Sequence, residues 1–373
     1  MLFISCSVWR GRERGINSIK RAKGLWAEAP RRGRVTCAMG GFMSKILGKN
    51  EHVYHETLAR MAAMDGKNIV ITGTTSGTGY ATALACARKG ARVYMMNRPS
   101  SRAERAIESL RAEVSSELVI QVDCDLMSFA SVRAACETVN AQIKDKGIDA
   151  LVCNAGIMTF PDVRTLDGFD QQMQTNHLSH FLITKLLLPE LQKAADLRGE
   201  ARVCLHTSLS RLGFPLDAKY YRKCMPGTLG GDGLGARIER YHQSKLANVV
   251  FQQALADRLG ANSNILVLSA APGFSETNLA ATIIQDTRHN VGARLLLQLF
   301  GICAQGSLAG ASPLLTTACL PVKTRELWEP SHLGRVRGPP RSFSIEKVCL
   351  DEEARDVLWE VSEEAIGEKF MVS

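Results

Sequence analysis

An α/β fold built on a doubly wound parallel sheet is what the sequence predicts, and two observations carry that prediction. Short apolar, β-branched runs alternate with longer stretches of helical apolar spacing from residue 67 to about 270, the pattern of repeated βαβ units around a buried parallel sheet. The first run also leads straight into Gly73-Thr-Thr-Ser-Gly77-Thr-Gly79 and a helical pattern. That order of strand, tight glycine turn and helix start suits a cradle for phosphate oxygens.

Taken in order, the chain begins with a basic leader. Residues 1–50 hold 11 Lys/Arg against 2 acids, which accounts for the whole net charge of +9. The body is therefore neutral and carries no electrostatic footprint for nucleic acid. Residues 1–45 are rich in Arg, poor in acids and free of a long apolar run. They read as an organelle transit peptide, chloroplast before mitochondrion, with a disordered basic tail on a cytoplasmic protein as the alternative. Residues 46–65 read as a leading helix and 66–373 as one domain.

Within that domain the expected strands are Asn68 to Thr72, Arg92 to Met96, Leu118 to Val122, Asp149 to Cys153, Arg202 to His206 and Ile265 to Ser269, each a compact apolar stretch. Expected helices cover Gly77 to Lys89, closed by Gly90, then Ser128 to Lys144 and Ile238 to Leu259, with a helical extension at the C-terminus. Residues 226–240, with five glycines between Pro226 and Gly235, read as an insertion, either a lid or a plain surface loop. Eleven cysteines without a CxxC pair point to reduced thiols rather than a metal site. No run reaches the roughly 18 apolar residues of a membrane span. The longest, Leu295 to Cys303, reads as a core or substrate-pocket helix, with peripheral membrane contact as the alternative.

The chemistry concentrates at Tyr241 and Lys245, four residues apart and so on one helix face. An ammonium there can stabilise phenolate and bring a phenol of ordinary pKa about 10 toward neutrality, which makes a general acid/base for a carbonyl/alcohol pair. A core aromatic beside a surface cation is the bland alternative. At the end of the second strand no acid stands between Val93 and Ser101, whereas Arg98 does. A guanidinium forks onto phosphate oxygens, so NADP(H) is favoured over NAD(H), unless Arg98 is merely a solvated charge. Ser208 follows a strand, and Asn176 is an amide in an apolar helical stretch.

Thr72 to Gly79, Cys153-Asn-Ala-Gly156, Ser208, Tyr241-x-x-x-Lys245 and Pro272-Gly273 resemble the short-chain dehydrogenase/reductase family over residues 66–280. Thr175 to Phe181, Tyr241 to Asn248 and Leu358 to Glu364 are similar to its branch of retinol dehydrogenases and WW-domain oxidoreductases. The resemblance implies a Rossmann-type domain in which Tyr241 gives the proton, Lys245 tunes it and holds a ribose, Ser208 orients the carbonyl oxygen and Asn176 holds a relay water. It further implies cofactor contacts from Gly73, Thr75, Ser76, Gly77, Thr78 and Gly79 in the turn, and from Asp125 and Leu126 near the adenine. Asn154, Ala155 and Gly156 would line the cleft, with Pro272, Gly273 and Thr277 by the nicotinamide. The implied substrate is an apolar carbonyl or alcohol, such as a retinoid, lipid, steroid or pigment, and the implied assembly a homodimer through residues 167–195 and 238–259. A light-dependent protochlorophyllide reductase and a non-catalytic NADP-binding scaffold are the rival readings. Cys153, Thr78 and Ser179 depart from the family's usual residues. His177, His180 and His206 read as structural histidines, because Tyr241 already fills the acid/base role.

Overall fold

The computed structural model describes residues 49–275 and 304–372; the leader, Thr277 and the run Leu295 to Cys303 lie outside the described residues. Among these, eight strands form one sheet in the order β3-β2-β1-β4-β5-β6-β7-β8. They are β1 Asn68–Thr72, β2 Arg92–Asn97, β3 Val119–Asp123, β4 Ala150–Cys153, β5 Ala201–His206, β6 Ile265–Ala270, β7 Leu327–His332 and β8 Arg337–Phe343. Every pairing is parallel except that of β7 with β8.

All five residues of β1 are buried, because a parallel sheet is covered on both faces. Alternation of side chains across the pleat then divides the core in two. Val70, Tyr94, Leu151, Val203 and Leu205 point into one half, while Ile69, Ile71, Met95, Val152 and Cys204 point into the other. On the second face lie α1 Glu51–Arg60, α2 Gly77–Arg88, α3 Ser101–Arg111 and α7 Ser307–Cys319. The first face carries α4 Phe129–Ile143, α5 Ser179–Arg198, α6 Leu234–Leu259 and α8 Glu352–Ile366. Ser100, Ser128 and Asp351 cap α3, α4 and α8 by accepting from the backbone N–H three residues on, which satisfies one orphan donor at each helix start.

The six expected strands are present within a residue or so at each end, yet the sheet continues past them. β7 contains Pro330 and β8 the pair Pro339-Pro340, so neither shows the apolar run that marks an interior strand. The expected C-terminal helical extension is present as α7 and α8, and among the described residues β7 and β8 lie between them. Within the glycine-rich stretch 226–240, α6 already begins at Leu234. Gly227, Gly230 and Gly231 take φ of 77°, 94° and 75°. The resulting loop turns back so that the N–H groups of Leu229 and Gly231 both donate to Asp162 Oδ2 at 2.9 Å. Arg240 Nη1 donates to the carbonyls of Leu229 and Gly231. The segment is pinned to the helix that follows it.

α8 closes the first face through Trp359, 4% exposed, which stacks on Phe370 at 4.9 Å, meets Phe181 edge-on at 5.1 Å and lies under the Arg258 guanidinium at 4.1 Å. Trp359→Ala is expected to destabilise the fold by about 3–5 kcal/mol, read as a lower midpoint of chemical denaturation; a loss under about 1 kcal/mol would mean α8 is not part of the cooperative core.

Candidate active site

The chain leaves β1 toward β3 on one side and leaves β4 toward β8 on the other, so a crevice opens between the carboxyl ends of β1 and β4. Gly73 sits at that point with φ 72°, and a Cβ there would lie 2.8 Å from Ala155 Cα. A Cβ on Gly79 would lie 2.3 Å from both Gly73 O and Asn154 Nδ2. Only glycine lets the turn and the start of α2 close this tightly. The amide of Asn154 joins the pieces. Its Nδ2 donates to the carbonyls of Thr72 and Gly73 at 2.9 and 3.1 Å, while its Oδ1 accepts from Thr78 Oγ1 at 2.9 Å and faces His206 Nδ1 at 3.0 Å. Thr78, unusual for the position, thus has a definite partner. On the far side Asn97, the last residue of β2, accepts from Thr74 N and donates to Thr74 Oγ1, both at 2.8 Å.

α6 presents Tyr241, Lys245 and Asn248 along one face. Lys245 Nζ donates to the His206 carbonyl at 3.1 Å, as does Asn248 Nδ2. Opposite, the helix before α5 widens into a π turn over Gln174–Leu178, which shifts the backbone bonds by one residue. The Asn176 carbonyl accepts instead from His180 Nδ1 and Asn248 Nδ2, each at 3.0 Å. The Asn176 side chain spans Ile157 N, Ile157 O and Ser244 Oγ at 2.8 to 2.9 Å. Gly156 lies between the two helices: a Cβ there would be 3.0 Å from Lys245 Nζ and 3.2 Å from Asn176 Oδ1. Glycine keeps the floor of the cleft open beside the amine.

Ser208 follows β5, and its Oγ accepts from Ser210 N at 3.2 Å. Its carbonyl accepts from Arg211 Nη1 at 3.1 Å. The Arg211 guanidinium is fully buried and forked onto Glu329 of β7 at 2.7 and 3.1 Å and onto Glu346 at 2.8 and 3.0 Å. A paired, fully hydrogen-bonded cation of this kind holds one geometry, because breaking either bond strands a buried charge.

Burial governs the ionisable groups. It pushes the Tyr241 phenol up to about 12, with the Ser208 and Ser210 side chains pulling it back. It pulls the Lys245 ammonium down to about 8, since low dielectric disfavours the charged form of each. The expectation that Lys245 brings the phenol toward neutrality is not met: Nζ lies 5.9 Å from the Tyr241 ring centroid, and burial dominates the phenol, with the Ser208 and Ser210 hydroxyls rather than the amine opposing it. His177, His180 and His206 fall by the same cause to about 3, 4 and 3. All three are neutral hydrogen-bonding residues. His180 Nε2 meets Thr72 Oγ1 at 2.9 Å, and His177 bridges Asn248 and Ser362.

The structure gathers Asn176, Ser208, Tyr241 and Lys245 at the carboxyl edge of the sheet. Thr75, Ser76 and Gly77 follow β1 there, exposed Arg98 follows β2, and Asp125 and Leu126 follow β3. Asp125 Oδ1 accepts from Met127 N at 3.0 Å, and the Leu126 carbonyl accepts from Ser179 Oγ at 2.6 Å, which gives Ser179 its use. Pro272 and Gly273 follow β6, where the Gly273 Cβ position is 2.1 Å from Val336 O. Sequence reasoning missed Asn97, Arg211 and Asn248. Asn248 alone left a local signal, a polar residue seven positions after Tyr241 on the same face.

A family model described as short chain dehydrogenase matches residues 67–202. Retinol dehydrogenase 14 of Mus musculus is 33% identical over 325 residues, covering 82% of this chain and 87% of that protein; retinol dehydrogenase 12 of Bos taurus is 32% identical over 304 residues, covering 81% and 87%. An uncharacterized oxidoreductase of Schizosaccharomyces pombe is 37% identical over 219 residues, covering 58% of this chain and 62% of that protein. Among solved structures, an uncharacterized protein from Mycobacterium paratuberculosis superposes with a TM-score of 0.64 at 28% identity, covering 84% of this chain and 98% of that one. A 3-ketoacyl-(acyl-carrier-protein) reductase from Brucella melitensis, solved with NADH, shares the fold with a TM-score of 0.52 at 23% identity, covering 71% and 96%.

Burial of Lys245 has a consequence for stability that needs no ligand. The folded state holds the amine at about 8 against 10.5 when unfolded, so a penalty of order 3 kcal/mol is present below pH 8 and is lost by pH 10.5. Lys245→Met is expected to be more stable than the parent at pH 7, with the gap closing across that window. Thermal midpoints of both proteins at pH 7 and pH 10.5 check this, and a variant less stable at pH 7 would overturn it.

Proposed function

Because the chain belongs to the short-chain dehydrogenase/reductase family, in its retinol dehydrogenase-like branch, we propose that it is an NADP(H)-dependent oxidoreductase that reduces the carbonyl of an apolar small molecule. Interconversion of a carbonyl and an alcohol with a nicotinamide dinucleotide is the chemistry of the family. The preference for NADP(H), the apolar substrate and the roles of Ser208, Tyr241, Lys245 and Asn176 are the proposal.

One observation carries it: the glycine turn, Ala155-Gly156 and the Lys245 amine are in contact in sequence, Gly73 against Ala155 and Gly156 against Lys245. A dinucleotide fits such a cleft because glycine leaves the backbone open to a pyrophosphate at the start of α2 and to a ribose beside the amine. The chemistry supplied by the bound dinucleotide is hydride delivery to the carbonyl carbon. Tyr241 gives its proton to the carbonyl oxygen, and burial keeps that phenol protonated, the form a reduction needs. Ser208 orients the oxygen and shares the developing charge, on a backbone fixed by Arg211. Lys245 steadies the ribose, and Asn176 braces the floor of the cleft through Ile157. Arg98, exposed just after β2, is the residue that would hold a 2′-phosphate of NADP(H).

The assay is NADPH oxidation with a panel of apolar aldehydes and ketones. Tyr241→Phe is expected to lower kcat about 10²- to 10⁴-fold while the protein still binds NADPH; unchanged turnover would remove Tyr241 as the acid. Arg98→Asp is expected to weaken NADPH far more than NADH in a titration of both, and equal losses would take Arg98 out of cofactor choice.

A further inference from the structure

At the edge of the sheet remote from the reacting groups, the Sγ atoms of Cys86 and Cys319 stand 3.8 Å apart. Cys86 lies in the last turns of α2 and is fully buried, whereas Cys319 ends α7 and is partly exposed. Cys319 lines a cavity of about 340 Å³ together with Met64, Lys67, Asp149, Arg198 and Arg202. The backbone around the thiol is held still, because Arg202 Nη1 donates to the carbonyls of Thr317 and Leu320 at 2.9 and 2.7 Å. The other described cysteines are also free, and none has a second thiol at this distance among the hydrogen bonds of the described residues.

We propose that Cys86 and Cys319 are a redox pair, in which a peroxide entering the charged cavity oxidises Cys319 and Cys86 resolves it to a disulfide that ties α2 to α7. The contact with Cys86, and then the positive charges of Arg202 and Lys67, favour the thiolate of Cys319 against the effect of burial. The same contact, and then burial, keep Cys86 as the thiol. Position separates the attacking sulfur from the resolving one, since Cys319 is partly exposed and lines the cavity while Cys86 is buried behind it. The Cys319 sulfur attacks one peroxide oxygen, the O–O bond breaks, and the departing hydroxide takes up a proton to leave as water, so that Cys319 becomes a sulfenic acid. The Cys86 sulfur then attacks the Cys319 sulfur, the S–O bond breaks, and the hydroxyl leaves as a second water with the proton of Cys86. Two thiols have given two electrons to one peroxide. Rotation of the two side chains closes the remaining gap, since a disulfide needs its sulfurs about 2.05 Å apart.

The test is peptide mapping of the full-length protein after hydrogen peroxide and alkylation of the remaining thiols. A linked Cys86–Cys319 peptide that disappears on treatment with dithiothreitol is the expected result. Loss of no thiols, linkage of Cys319 to Cys204, or a lone sulfinic or sulfonic acid at Cys319 would each overturn the proposal. In Cys86→Ser the oxidation is expected to halt at sulfenic acid, captured by dimedone at Cys319 at least tenfold more than in the parent. Equal capture in both proteins would deny Cys86 its resolving role, and the mapping of the parent decides the matter if that variant does not fold.

Discussion

Asn154 is the interaction on which the site depends. A buried primary amide has two donors and two acceptor positions, and here both donors go to the end of β1 while the oxygen meets the first turn of α2 and the end of β5. Nothing on that side chain is left unsatisfied, which is what allows a polar group to be buried at the crossing of three elements. Loss of the amide would remove at once its bonds to the Thr72 and Gly73 carbonyls and to the Thr78 hydroxyl. The glycine turn therefore owes its shape as much to a residue of another strand as to its own sequence.

The reactive groups depend on a comparable closure from behind. Tyr241 and Lys245 share a helix face by simple periodicity, yet their ionisation is set by how completely the surrounding elements exclude water. The π turn is part of this closure. By turning the Asn176 carbonyl toward His180 and Asn248, it draws the helix before α5 onto α6 and satisfies the polar atoms between them.

Much of this was legible in the sequence, and the reasons differ by residue. β1, β2 and β4 to β6 were readable because each is a short run buried almost throughout, β3 by its apolar run at the sheet's margin, and the glycine turn because Gly73 and Gly79 occupy places where a side chain has no room. β7 and β8 were not, since prolines break the pattern and β8 needs only one partner. The pairing of Arg211 with Glu329 and Glu346 joins residues more than a hundred positions apart, and no local spacing announces it. The ionisation of Tyr241 was misjudged for a related reason: spacing along a helix reports which groups are neighbours, but not how much water remains around them. Arg240 illustrates the same point, as a residue beside the reactive tyrosine whose work is to hold the glycine-rich loop.

The prolines of β8 have a further meaning for the protein outside its own fold. Among the described residues β8 is the last strand on its side of the sheet, and consecutive residues direct their backbone amides to opposite sides. With Pro339 and Pro340 adjacent, one missing N–H faces outward whichever way the strand is turned. A foreign strand arriving at this margin finds a gap in the ladder it would have to continue. The same substitution of residues that hid the strand from inspection thus guards a crowded solution of these molecules against sticking edge to edge.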